Sequence, residues 1–201
     1  MDSAEGLADL SLGEPSTTEY RAPQQISVAA LLEAKEGEDD ALQRYKTSLL
    51  GTAAAAAAAS STGPDSRRVV FSELCILVNG RNPLSFDLTR DEPIHIVLKE
   101  GCEYKTQLTF HVQNDIVSGL KYRNCVSRGL LAKLRVEEML GSYAPDPSKA
   151  ITVVVPRREW DQAPSGMTAR ATYSAKTTFV DDDGIEHFNL DYKLTIAKDW
   201  S

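Results

Sequence analysis

The residue types able to carry chemistry are few and scattered. His95, His111 and His187 are the only imidazoles in the 201 residues, and Cys75, Cys102 and Cys125 the only thiols. None stands at metal-ligand spacing, and the chain has no HExxH, P-loop, GxGxxG or nucleophile elbow. The one dense acidic run, Asp181-Asp182-Asp183-Gly184, lacks the alternating ligands and distant glutamate of a calcium loop. It reads as a solvated turn, or as an acidic rim facing a basic partner. Cys75 and Cys125 fall in predicted strands where a bridge between sheets is conceivable, but in a reducing compartment small buried thiols are the expectation. No catalytic residue, metal or cofactor is assigned, and the chain is not expected to be an enzyme.

These side chains sit on a pattern of short strands, clearest from Leu98 to Tyr122. Thr106, Leu108, Phe110 and Val112 alternate with Lys105, Gln107, Thr109 and His111, the period of a strand with one buried and one wet face. Asn114-Asp115 marks a turn, and Ile116 to Tyr122 reads as the returning strand of a hairpin, with Gly119 at a bulge or close approach. Such a hairpin needs a second sheet over its apolar face. Further strands are predicted at 69–78, 84–88, 94–98, 130–136, 151–155, 169–180 and 187–196, with turns at Asn79-Gly80, Asn82-Pro83, Lys99 to Gly101, Pro145 to Pro147, Pro164 to Gly166 and Asp181 to Gly184. Short strands with turn punctuation and no long helix between them predict an all-β antiparallel β-sandwich over 67–201.

The remainder differs in composition. Residues 1–50 hold ten acidic and four basic residues, so −6 of the total charge of −7 lies there. Without a basic patch the chain is not expected to bind nucleic acid, and its acidic arm disfavours an anionic bilayer. No signal peptide or spanning segment is read, so a cytoplasmic location without stable membrane insertion is expected. Ser27 to Gly37 and Asp40 to Gly51 read as two short amphipathic helices, the second opened by the capping-box spacing Asp40 to Gln43. Each is too short to be stable alone in water. The predicted organisation is a partly disordered acidic arm over 1–50, flexible and helical, a low-complexity linker over 51–66 containing an alanine tract, and the sandwich.

Several blocks occur together in consistent order: Tyr45-Lys46 to Gly51, Leu98 to Gly101, Ile116 to Tyr122, Gly141 to Pro145, Pro164 to Arg170, Asp181 to Asp183 and Lys198 to Trp200. In these the chain resembles the Rho GDP-dissociation inhibitor family. The resemblance implies a regulator that holds prenylated Rho-family small GTPases, such as Rho and Rac, in the GDP state and removes them from membranes. It also implies an immunoglobulin-like sandwich that holds a geranylgeranyl group between its two sheets, and a regulatory arm over 1–50 folded over the GTPase switches. Carried over by position, the prenyl pocket comprises Ile76, Ile96, Tyr104, Leu108, Ile116, Tyr122, Leu190 and Tyr192. The switch-binding set comprises Tyr20, Asp39, Leu49, Leu50 and Asp183. Leu190 and Tyr192 stand where the family's commoner pattern has tryptophans. A broader prenyl-binding carrier without control of nucleotide exchange is the alternative.

Overall fold

A computed structural model of the chain describes residues 39–42, 44–46, 48, 65–129 and 132–200. The alternating segments form ten strands: β1 (Val69–Val78), β2 (Leu84–Asp87), β3 (Ile94–Lys99), β4 (Glu103–Val112), β5 (Val117–Arg128), β6 (Ala132–Tyr143), β7 (Asp146–Val155), β8 (Asp161–Gln162), β9 (Thr172–Val180) and β10 (Glu186–Ala197). One sheet runs β2-β1-β4-β7, with β8 joined to β4, and the other runs β3-β10-β9-β5-β6. Every pairing is antiparallel except β3 with β10, which runs parallel from Ile94 beside Tyr192 to Lys99 beside Ala197. The fold is an immunoglobulin-like all-β sandwich whose second sheet is mixed.

The inward faces meet in a dry core. Phe71 on β1 touches Phe179 on β9 across the gap, with ring centroids 4.2 Å apart, and Phe110, Phe188 and Tyr143 extend the aromatic cluster. Each fully buried side chain of this size is worth about 1.5–3 kcal/mol, and an aromatic pair adds about 0.5–1.5 kcal/mol. Cys75 and Cys125 belong to opposite sheets. Their neighbours Ile76, Asn124 and Val126 line the space between the sheets, so alternation turns both thiols to the outer faces, and all three cysteines are free.

Several expectations change. The segment from Leu98 to Tyr122 is not a hairpin, because β4 pairs with β1, β7 and β8 while β5 pairs with β6 and β9. Asn114 and Asp115 turn an arch that carries the chain from one sheet to the other, so the two apolar faces oppose each other across the core. Asn114 adopts φ 67° there, a left-handed conformation that asparagine tolerates. Secondly, β6 continues to Tyr143, paired with β5 as far as Val117, and its Glu138 meets Arg157 at 3.7 Å. Thirdly, β7 begins at Asp146 and takes Pro147 into the strand, which an edge strand permits. Lastly, the two-residue β8 carries no pattern of its own and is recruited by β4.

In the arm the described residues 40–42, 44–46 and 48 are helical. The cap is Asp39, one residue before the expected Asp40. Its Oδ1 accepts the Ala41 N–H at 3.4 Å and its carbonyl accepts the Leu42 N–H at 2.9 Å. Leu42 and Tyr45 are exposed on this helix. The first arm helix and most of the linker fall outside the described residues.

Candidate functional site

Alternation on β1, β3, β4, β5 and β10 places large side chains between the sheets, and at one end they do not fill it. A cavity of about 220 Å3 remains there. Its walls come from Ile76 of β1, Ile96 and Leu98 of β3, Tyr104 and Thr106 of β4, and Val155 of β7, with β5, β6, β8 and β10 closing the rest. Ile76, Ile96, Leu98, Tyr122 and Val155 are buried in its wall. At the mouth, on the edge strand β6, Leu134 is 64% exposed and Val136 is 38% exposed. Large apolar groups left open beside a cavity mark a place where a ligand or partner covers them.

The eight expected pocket residues divide. Ile76, Ile96, Tyr104, Tyr122 and Tyr192 line the cavity, whereas Leu108, Ile116 and Leu190 do not. Leu108 points between the sheets deeper in the packed core, 1% exposed. Ile116 precedes β5 and belongs to the arch. Leu190 lies two residues before Tyr192 and lines a separate groove with Leu88, Pro93 and Phe188. Among the residues missed by sequence reasoning, Leu134 and Val136 alternate with Arg135 and Glu137, a signal that was present. Asp161 and Gln162 enter through pairing with Tyr104 and Glu103, which no local pattern announces.

A polar cluster is set into the wall. The Tyr192 hydroxyl donates to Asn124 Oδ1 at 3.3 Å, and the Thr177 hydroxyl donates to the same oxygen at 3.5 Å. The Tyr122 hydroxyl faces Thr177 in its own sheet and Thr106 in the other. Burial pushes the Tyr104, Tyr122 and Tyr192 phenols up, so all three are neutral near pH 7. Burial also raises the Asp161 carboxyl, with Lys105 opposing. Lys105 donates to the Arg158 carbonyl at 3.2 Å and lies 5.5 Å from the centre of the Trp160 ring, tying down the loop at the mouth. Among the described residues no group of three or more His, Cys, Asp or Glu side chains is placed to hold a metal. The polar groups around the cavity are hydroxyls, the Asn124 and Gln162 amides and the Asp161 carboxyl, all able to hydrogen-bond to a ligand.

The acidic run is at the other end of β5. Asp181 is buried, and its carboxylate accepts the Ile185 N–H and the His187 imidazole, both at 2.8 Å, with Arg68 at 3.9 Å. Asp182 pairs with Lys121 at 2.8 Å, and its N–H donates to the Ser118 carbonyl. Asp183 is exposed on the turn. Two of the three carboxylates thus shape the turn while the third faces outward. The register Lys121 to Val180 and Ser127 to Ser174 puts this turn beyond the start of β5, whereas the cavity lies towards its end. Asp39 is exposed as the helix cap, and Tyr20, Leu49 and Leu50 lie outside the described residues.

Comparison with known proteins adds a second line of evidence. Residues 9–199 match the family described as RHO protein GDP dissociation inhibitor. A Dictyostelium discoideum relative carrying the rho GDP-dissociation inhibitor 1 name is 42% identical over 200 residues, covering 96% of this chain and 98% of that protein. The Rho GDP-dissociation inhibitor 1 of Homo sapiens is 34% identical over 208 residues, covering 98% and 96%. The Rho GDP-dissociation inhibitor of Saccharomyces cerevisiae is 35% identical over 170 residues, covering 81% and 83%.

Proposed function

The chain belongs to the Rho GDP-dissociation inhibitor family, and from that membership we propose that it binds prenylated Rho-family GTPases in the GDP state, slows GDP release and extracts them from membranes. The observation that carries this reading is the unfilled space between the sheets, with exposed Leu134 and Val136 at its mouth. Burying a prenyl chain is worth about 0.8 kcal/mol per carbon, so twenty carbons of a geranylgeranyl group represent on the order of 10 kcal/mol. Only a similarly dry site competes with a bilayer for that group. The cavity of about 220 Å3 is below the roughly 300–1,000 Å3 usual for ligand sites, so a long chain also needs the mouth or a small parting of the sheets.

Control of the nucleotide is assigned to the arm. Asp39, with Tyr20, Leu49 and Leu50, contacts one switch of the GTPase, and Asp183 meets the other. Exposed Leu42 and Tyr45 supply an apolar face that such a partner covers. Holding both switches restricts the motion through which GDP leaves, and no bond is made or broken. The remaining charge of the arm complements a polybasic tail beside the prenyl group.

The test is to add the protein to vesicles carrying prenylated or unprenylated GDP-loaded Rho GTPase, following release from the vesicle and GDP dissociation together. Extraction of the prenylated form with slowed GDP release is expected. Extraction without any slowing leaves the broader prenyl carrier, and absence of both removes the proposal.

A further inference from the structure

Resting on the prenyl-binding reading above, we infer that the connecting segment from Pro156 to Ala171 is a membrane-contact face, on which Trp160 and Met167 enter the headgroup region of a bilayer and Arg128 and Arg158 meet anionic lipid. The segment joins β7 to β9 and holds two large apolar side chains in the open, Met167 at 83% and Trp160 at 41% exposure. Large apolar groups presented together on a surface mark a place that something else covers. Tryptophan, with an apolar body and one N–H, suits the boundary between lipid and water.

Neither side chain is exposed through looseness. The Gly166 N–H donates to Glu100 at 2.9 Å, and Arg170 grips the same carboxylate. Gly101 donates to the Ala163 carbonyl at 3.0 Å, and the Ala163 N–H donates to the Cys102 carbonyl at 2.8 Å. Arg128 donates to the Thr168 carbonyl beside Met167, and Lys105 lies under the Trp160 ring while donating to the Arg158 carbonyl. The backbone is fastened to both sheets, so it fixes the two side chains outward.

Position selects a bilayer as the cover. Asp161 and Gln162, directly after Trp160, line the cavity, and Arg128 stands two residues beyond the lining residue Val126. The two anchors thus belong to the end at which a prenyl chain would pass between bilayer and sandwich, and contact there shortens its path through water. Charge points the same way. Arg157 faces Glu138, Arg170 faces Glu100 and Lys105 faces Asp161, whereas Arg128 and Arg158 make no ion pair among the described residues and are opposed by Glu159. The arm, with its charge of −6, is attached at the other end: Val69 stands opposite Val112, and Leu77 opposite Lys105. Eight residues of β1 at roughly 3.4 Å each separate the two by about 27 Å, several times the Debye length of about 8 Å. A sandwich so polarised meets an anionic bilayer cavity end first.

The experiment mixes the full chain with vesicles of phosphatidylcholine and phosphatidylserine bearing brominated acyl chains and reads tryptophan fluorescence. Quenching of the wild type and its loss in Trp160→Phe are expected, because Trp200 is the only other tryptophan. Quenching that persists in the variant overturns the assignment, and absence of quenching in the wild type overturns it in favour of a protein partner on this face. Trp160→Ser combined with Met167→Ser should slow extraction of a prenylated, GDP-loaded Rho GTPase from unbrominated vesicles of the same composition by about tenfold, while affinity for an S-geranylgeranylated peptide in solution stays within about twofold. Extraction at the wild-type rate overturns the inference and leaves the prenyl-binding reading intact, and an equal fall in extraction and peptide affinity shows a damaged pocket and overturns it too. A wild type that is quenched by vesicles yet binds no such peptide removes the prenyl-binding reading and leaves the contact face standing.

Discussion

At Gly119 a side chain has no room. The residue has φ +60°, and an added Cβ would lie 1.8 Å from Asp182 Oδ2. Its N–H donates to Ser142 Oγ at 2.9 Å, while Asp182 is held by Lys121. Gly119→Ala should cost about 2 kcal/mol in urea unfolding, from strain and the displaced carboxylate together; a loss below about 0.5 kcal/mol would show that the loop simply yields. Glu100 ties the turn after β3 to the Gly166–Arg170 segment, and the Arg170 guanidinium, then the Gly166 N–H, hold its carboxyl below the ordinary glutamate range. Because its folded value is depressed, its contribution is complete above the unfolded value of about 4.3 and is lost as pH falls through the folded value. Glu100→Gln should lower the melting temperature near pH 7 and flatten its decline below about pH 4; an unchanged acid limb would sink this linkage. The residue blocks on which the family resemblance rests are largely such devices. Ser118-Gly119 meets Ser142 and Asp182, and Glu100 meets Gly166 and Arg170, so the sequence made them legible as blocks while their meeting required the fold.

The element scale shows where alternation stops informing. Period two identified the inward residues of β4, because one face of that strand is dry and the other is not; in β1 and β5 the bulges between Phe71 and Glu73 and between Val117 and Leu120 shift the alternation. It did not identify the neighbour of any strand: a hairpin and an arch give the same pattern, differing only in whether the chain turns within a sheet or between two. The cavity has the same limitation, since Leu108 and Tyr104 share the inward face of β4 but only Tyr104 reaches the unfilled end. Exposed Pro147 to Ala150 of β7 had no apolar alternation to betray the strand. The arch is fastened to the entrance of β1: Asn114 Nδ2 donates to the carbonyls of Arg67 at 2.9 Å and Asp65 at 3.0 Å, and Gln113 Nε2 donates to Arg67 at 2.9 Å. Asn114→Ala should destabilise the sandwich by about 1–2 kcal/mol through lost hydrogen bonds and the left-handed backbone. Asn114→Gly should recover the backbone part only. Chemical denaturation of the pair separates the two contributions, and equal losses would assign the whole effect to the side chain.

For the molecule as a whole, the proposed division of labour predicts separable losses. Removing residues 1–50 should abolish slowing of GDP release while leaving prenyl-peptide affinity within about threefold; retained inhibition would take nucleotide control away from the arm. The same architecture bears on how the protein is made. β3 precedes most of the described strands in the chain, yet among the described residues its one sheet neighbour is β10, and the parallel pairing spans about a hundred positions of sequence. Until the last dozen residues of the sandwich have been synthesised, Ile96 and Leu98 have no adjacent strand, and Tyr192 and Leu194 are absent from the cavity wall. A nascent chain interrupted before residue 186 therefore carries an open, apolar strand edge. Synthesis of β10 is therefore the event that first closes the wall of the cavity on the β3 side.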